Sequence, residues 1–139
     1  MEKFLLDSGV IHAVYNKEDA HHSVCLKFLT EHKDARLYIP THSRFEIQHS
    51  ISKRKKEKTF TRDERDIGVY FNNIDVDAKF YQECQGKKLF SLFDFLKGGD
   101  LIFACIAKLR GYTLLTCDKD YNKYKTEINI VYLPELNSS

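Results

Sequence analysis

Asp7, Glu46, Asp100 and Asp118 are four acids set in four separate stretches of the chain, each close to the end of an apolar run or the start of a helical one. Carboxylates gathered in a partly desolvated cleft repel one another unless a cation stands among them, and hard oxygen donors select Mg2+ or Mn2+. Such an ion aligns a water for in-line attack on phosphorus and stabilises the leaving oxygen, so phosphodiester hydrolysis needs no Ser, Cys or His nucleophile. No GxSxG elbow or Walker loop is present to suggest a rival chemistry. A basic run, Lys53, Arg54, Lys55 and Lys56, follows Glu46 and suits a polyanionic substrate such as RNA.

The elements that must position these acids alternate. Phe4 to Leu6 is a short apolar run that reads as a buried strand, and Asp7 or Ser8 caps the helix after it. Residues 20–32 read as a helix with Val24, Cys25, Phe28 and Leu29 on its buried face, followed by a strand from Arg36 to Ile39 stopped by Pro40. Thr41 caps the next helix, which carries Glu46, His49 and Lys53 on one face and Phe45, Ile47 and Ile51 as apolar contacts. That helix runs into the charged stretch 53–58, and Thr61 to Glu64 resembles a capping box, so the two helices are predicted to form a projecting hairpin.

Ile74 and Val76 suit a minor strand, and 78–96 reads as one helix weakened at Gly86. The helix beginning at Asp100 ends at Arg110-Gly111, a good C-cap. Strands follow at Thr113–Thr116 and Ile128–Tyr132. Alternation of this kind calls for a mostly parallel sheet between two helical layers, with the functional crevice at the carboxyl ends of the strands. Asp7 and Asp118 each directly follow an apolar strand, and therefore leave the sheet at the same edge.

Composition limits the alternatives. The 139 residues suit one domain spanning 1–139, and 42% hydrophobic with 13% aromatic content suits a packed core rather than a disordered chain. A net charge of +2 says little about nucleic acid, so only the local basic run speaks to it. The four cysteines form no CxxC pair and read as buried thiols in a reducing compartment, with no zinc site. The N-terminus lacks the apolar core of a signal peptide, and the longest apolar run, 101–107, is too short to span a bilayer; a cytoplasmic protein without membrane contact is expected.

Each acid also has a plainer reading. Asp7 and Asp100 are good helix N-caps, Glu46 alone is a solvated helix carboxylate, and Asp118 and Asp120 are good turn formers. The basic run can be a solvated helix end, and His12, His42 and His49, which could contact phosphate, read first as surface or packing residues. The order and context of the four acids favour the site over these separate explanations.

Phe4-Leu5-Leu6-Asp7-Ser8, Glu46 on its helix, Gly99-Asp100-Leu101-Ile102-Phe103-Ala104 and Leu115-Thr116-Cys117-Asp118-Lys119-Asp120-Tyr121 together resemble the sequence blocks of PIN-domain ribonucleases, over nearly the whole chain. In size and layout the chain is similar to stand-alone VapC-type toxins of toxin–antitoxin pairs. The resemblance implies a three-layer α/β/α sandwich whose first strand lies beside the fourth. It also implies Mg2+ or Mn2+ held by Asp7, Asp100 and Asp118 with Glu46 completing the shell or positioning water, and cleavage of RNA. Thr116, Asp120 and Ser8 fall at supporting positions. An antitoxin partner whose tail covers the cleft and a homodimer are further implications.

Gly9 departs from the pattern, because many members carry a polar residue there, and the aromatic stretch 90–96 is unusual. Phe90, Phe93 and Phe95 read first as core, with a partner surface as the alternative. Two other functions compete: a non-catalytic RNA-binding scaffold, or a PIN nuclease that processes RNA without being a toxin. A Mg2+-dependent phosphohydrolase, suggested by Asp118-Lys119-Asp120, would expect that pair near the first strand and further phosphate-binding residues, which the chain lacks.

Overall fold

The computed structural model describes residues 1–54 and 71–137. Five strands form one sheet: β1 (Lys3–Leu6), β2 (Arg36–Pro40), β3 (Asn72–Ile74), β4 (Thr113–Thr116) and β5 (Ile130–Tyr132). Their order is β3-β2-β1-β4-β5 and every neighbouring pair is parallel. Parallel neighbours need crossover connections, and helices supply them here. These are α1 (Ser8–Tyr15), α2 (His22–Glu31), α3 (Thr41–Arg54), α4 (Ala78–Gly86), α5 (Leu89–Leu92) and α6 (Gly99–Arg110), with 3-10 turns at Lys119–Tyr124 and Leu133–Asn137.

Strand periodicity sorts the core into two layers. Side chains alternate across a strand, so Phe4 and Leu6 of β1 pack on one face with Leu115 of β4, against Val10, Ile11, Cys25 and Phe28 of α1 and α2. Leu5 and Leu114 take the other face, against Phe80, Phe93, Phe103 and Ile106 of α4–α6. Strands buried on both faces read as continuous apolar runs, which is why Phe4-Leu5-Leu6 carries no polar alternation. Among the described residues no helix is long and apolar enough to cross a membrane.

Several expectations change in detail. The predicted helix over 78–96 is two helices, because Lys88 adopts the left-handed conformation with φ 57° between α4 and α5. The break divides the aromatic stretch: Phe93 is fully buried, whereas Phe90 and Phe95 are 36% and 50% exposed, so only one of the three joins the core. Thr41 uses its hydroxyl to donate to the Ile74 carbonyl at 3.2 Å, tying the start of α3 to β3. The chain after Asp118, read as a turn, is a 3-10 helix. The predicted hairpin over residues 53–71 and the capping box at Thr61 lie outside the described residues, apart from the end of α3 and Phe71.

Helix ends follow ordinary capping chemistry. Gly111, at φ 71°, closes α6 in the left-handed conformation that favours glycine, and its N–H donates to Ala107 at 2.9 Å. Asp77 caps α4 by accepting from the Phe80 N–H at 2.9 Å. Asp77→Ala should therefore lower stability by about 1 kcal/mol and the melting temperature by roughly 4 °C, while Asp77→Asn leaves both nearly unchanged. Thermal melts of the two variants check this.

Candidate active site

The parallel arrangement delivers the acids to one place. β1 and β4 are neighbours with Leu6 opposite Leu115, and the Asp7 N–H donates to the Leu115 carbonyl at 3.2 Å, so both chains leave the sheet side by side. Asp7 is 7% exposed and caps α1, its Oδ1 accepting from the Val10 N–H at 2.9 Å. Its Oδ2 accepts a short hydrogen bond from the Thr116 hydroxyl. The same Thr116 Oγ1 accepts from the Asp118 N–H at 2.9 Å, and Asp118 Oδ1 accepts from the Asp120 N–H at 2.9 Å. One buried threonine thus fixes Asp7 and the backbone of Asp118 relative to each other.

Glu46 and Asp100 come from the two helices that begin at the same edge. Glu46 sits one turn into α3 and is exposed, whereas Asp100 is half-buried in the first turn of α6. Ser43 anchors α3 here: it is fully buried, and its hydroxyl lies 3.3 Å from that of Ser8, the first residue of α1. Asp7, Glu46, Asp100 and Asp118 all line one cavity of about 440 Å³, together with Ser8, Gly9, His21, His42, Phe103 and Cys117.

Burial and like charge mark this cavity. Desolvation first pushes the Asp7 carboxyl up from an ordinary 3.8 to about 6; the Thr116 and Val10 hydrogen bonds pull it down, and the charges of Asp100 and Asp118 push it further up. Asp100 is raised by burial and by the nearby Asp118 and Asp120 charges, with the Tyr121 hydroxyl acting in the opposite direction. Tyr121 is fully buried and approaches Asp100 without meeting the geometry of a full hydrogen bond among the described residues. Burial and the charges of Asp100 and Asp7 raise its hydroxyl, which therefore stays protonated.

Among the described residues no three His, Cys, Asp or Glu side chains converge closely enough to ligate one ion by themselves. The four carboxylates share a cavity, not a ready coordination shell. This donor set fits an ion that takes one or two carboxylates and keeps part of its water shell, as Mg2+ does, better than an ion needing a full protein cage. A tetrahedral zinc site has no counterpart here, since the free Cys25 and Cys117, whose sulfurs are 3.7 Å apart, bring no third ligand.

The remaining predicted residues divide. Asp120 is exposed and holds the turn with its backbone N–H, and Lys53 is exposed at the end of α3. The side chain of Arg54, and Lys55 and Lys56 entirely, lie outside the described residues. Gly9, the departure from the family pattern, lines the cavity, and a Cβ there would stand 3.5 Å from Asp7 Oδ1, an ordinary contact.

His42, Ser43, Cys117 and Tyr121 join the site beyond the expected set. His42 and Ser43 follow Pro40 at the carboxyl end of β2, so their place at the sheet edge was readable from position. Both ring nitrogens of His42 are buried without a hydrogen-bond partner among the described residues, and the ring lies against Phe103 at 5.6 Å.

A family model described as PIN domain matches residues 4–127. No curated protein matches the chain in sequence. Among solved structures, VapBC2 from Rickettsia felis, bound to a promoter DNA fragment, aligns at 22% identity and TM-score 0.62, covering 93% of this chain and 97% of that one. VapC20 from Mycobacterium tuberculosis, described as a sarcin-ricin-loop-cleaving toxin, aligns at 14% identity and TM-score 0.62, covering 86% and 93%. DNA-bound VapBC from Salmonella typhimurium aligns at 19% identity and TM-score 0.55, covering 94% and 98%.

Proposed function

The chain belongs to the PIN-domain family, and from that membership we propose that it is a Mg2+- or Mn2+-dependent endoribonuclease and the toxin of a toxin–antitoxin pair. The observation that carries this reading is the convergence of Asp7, Glu46, Asp100 and Asp118, from four separate segments, on one cavity. A bound divalent ion there would supply an activated water and charge neutralisation at the scissile phosphate.

The chain's own residues set the stage for that chemistry. Asp7, Asp100 and Asp118 are the carboxylates that hold the ion, directly or through its waters. Glu46, exposed at the mouth, completes the shell or orients the attacking water. Thr116 keeps Asp7 and Asp118 in register, and Ser8 with Ser43 fixes α3, and hence Glu46, against α1. Asp120 shapes the turn behind Asp118. Lys53, with Arg54, Lys55 and Lys56 after it in sequence, supplies positive charge for an RNA backbone.

Purified protein incubated with labelled RNA tests the activity. Cleavage is expected with Mg2+ or Mn2+, should fall to background in EDTA, and should return when metal is restored. Products that persist in EDTA would remove the metal from the reading. Binding that weakens with salt but gives no products under any metal would instead identify a non-catalytic RNA-binding domain.

The toxin role rests on family membership and on the likeness to VapC20 and the two VapBC assemblies. The expected partners are an antitoxin protein covering the cleft and a second copy of the chain, with action in the cytoplasm. Growth arrest on induction of the wild type, absent with Asp100→Ala and relieved by the protein encoded alongside it, is the expected result. Equal growth of both strains would leave a nuclease that processes RNA without being a toxin.

A further inference from the structure

One face of α3 is not used by the site as described. At about 100° per residue, Phe45, His49 and Lys53 fall on the same outward arc as the cavity-lining His42 and Glu46, opposite the buried Ser43 and Ile47. Phe45, next to Glu46, is 74% exposed, a large apolar ring left in water at the mouth of an acidic cleft. His49 and Lys53 are also exposed and continue the strip away from the cavity over roughly 12 Å.

We propose that this strip is the bed for a single-stranded RNA substrate, with an unpaired base stacked on Phe45 and the backbone running past His49 and Lys53. The inference rests on the ribonuclease reading and assigns its substrate class. An aromatic ring beside cationic and imidazole groups is the combination that holds single strands: the ring takes the face of any base and the cations take the phosphates. Duplex RNA cannot use the platform, because its base faces are already stacked.

A second copy of the chain is the other occupant an exposed aromatic could suit. Stable protein interfaces bury about 800 Å² on each partner, whereas one Phe offers roughly 200 Å², and the neighbours on this arc are Glu46, His49 and Lys53 rather than further apolar residues. The charge and the continuity with the cavity favour a nucleic-acid strand.

The test is binding of fluorescein-labelled single-stranded RNA in EDTA, followed by anisotropy for the wild type, Phe45→Ala, Phe45→Trp and Lys53→Ala, each checked for native circular dichroism. Phe45→Ala is expected to weaken binding roughly 5- to 150-fold, and Phe45→Trp to retain it. Lys53→Ala should reduce the slope of log affinity against log salt by about 0.7. With Mg2+ present, Phe45→Ala should raise KM for the single strand with little change in kcat.

Wild-type affinity in Phe45→Ala overturns the proposal, as does equal binding of a duplex of the same sequence. A dimer that becomes a monomer in Phe45→Ala, with RNA affinity unchanged, also overturns it and assigns the face to self-association. Cleavage that continues with unaltered KM in Phe45→Ala defeats the platform and leaves the nuclease reading standing. Phe45-dependent binding without cleavage in any metal does the reverse.

Discussion

Asp7→Asn is expected to reduce metal-dependent RNA cleavage by at least about 100-fold while making the metal-free protein more stable at neutral pH. The substitution keeps the shape and the cap, because Asn is as good as Asp at a helix N-cap and its amide oxygen can still accept from Val10. It removes a charge that burial and the neighbouring Asp100 and Asp118 make unfavourable, which is what raises the carboxyl from 3.8 to about 6. Between those two values the folded chain holds a proton that the unfolded chain has lost. Wild-type stability therefore rises as pH falls from about 6 toward 3.8, and the full penalty is present above 6.

That gap corresponds to about 3 kcal/mol at most, from which the lost charge-assisted bonds to Thr116 and Val10 subtract. A net gain of about 1–2 kcal/mol would raise the melting temperature of the variant by several degrees at pH 8, and the difference should shrink or reverse at pH 4. Thermal melts at both pH values, with cleavage assays beside them, give both readings on one preparation. Undiminished, EDTA-sensitive cleavage by Asp7→Asn would remove Asp7 from the site. A lower melting temperature at pH 8 would mean that its hydrogen bonds outweigh its desolvation.

Thr116→Val has the next largest expected effect, because it removes one atom that serves two acids. Valine matches the volume of threonine and suits a strand, so packing is preserved in a residue that is fully buried. Lost are the hydrogen bond to Asp7 Oδ2 and the acceptor for the Asp118 N–H. Without a donor on Oδ2 the Asp7 carboxyl should rise further, since the Thr116 bond is the largest influence holding it down. Stability should drop by about 1–3 kcal/mol at pH 8 and by less at pH 5, where Asp7 is largely protonated and needs the donor least.

Cleavage should fall roughly 100-fold, the effect of letting catalytic groups drift by about 1 Å. Thr116→Ser, which keeps the hydroxyl, should stay within a few-fold of the wild type. If valine and serine variants behave alike, the hydroxyl has no part in positioning the acids, and the link between β4 and the cleft must lie in the backbone alone.

Much of the site was legible because its parts sit where local sequence rules are strong. Asp7 and Asp118 follow short apolar strands, Asp100 opens a helix whose Gly111 end is unambiguous, and parallel strands deliver their carboxyl ends to one edge. Harder to see were features that depend on partners far away in sequence. Ser43 looks like any polar residue in a first helical turn until α1 brings Ser8 to it, 35 positions distant. Tyr121 read as a core aromatic, and it is buried; only the approach of α6 places its hydroxyl by Asp100. The break at Lys88 escaped because a lysine gives no sign that its backbone will be left-handed, whereas Gly86 two positions earlier does.

The sequence by itself determined the alternation of strands and helices, the two-faced burial of β1 and β4, and which acids would reach the edge of the sheet, since these follow from side-chain periodicity over a few residues. Tertiary structure alone decided that β1 lies beside β4, that Thr116 bridges Asp7 to Asp118, and that Asp7 is desolvated enough to hold its proton to about pH 6. Those outcomes depend on pairings between segments about 110 residues apart and on the dielectric surroundings that packing creates, neither of which is encoded in any local stretch of chain.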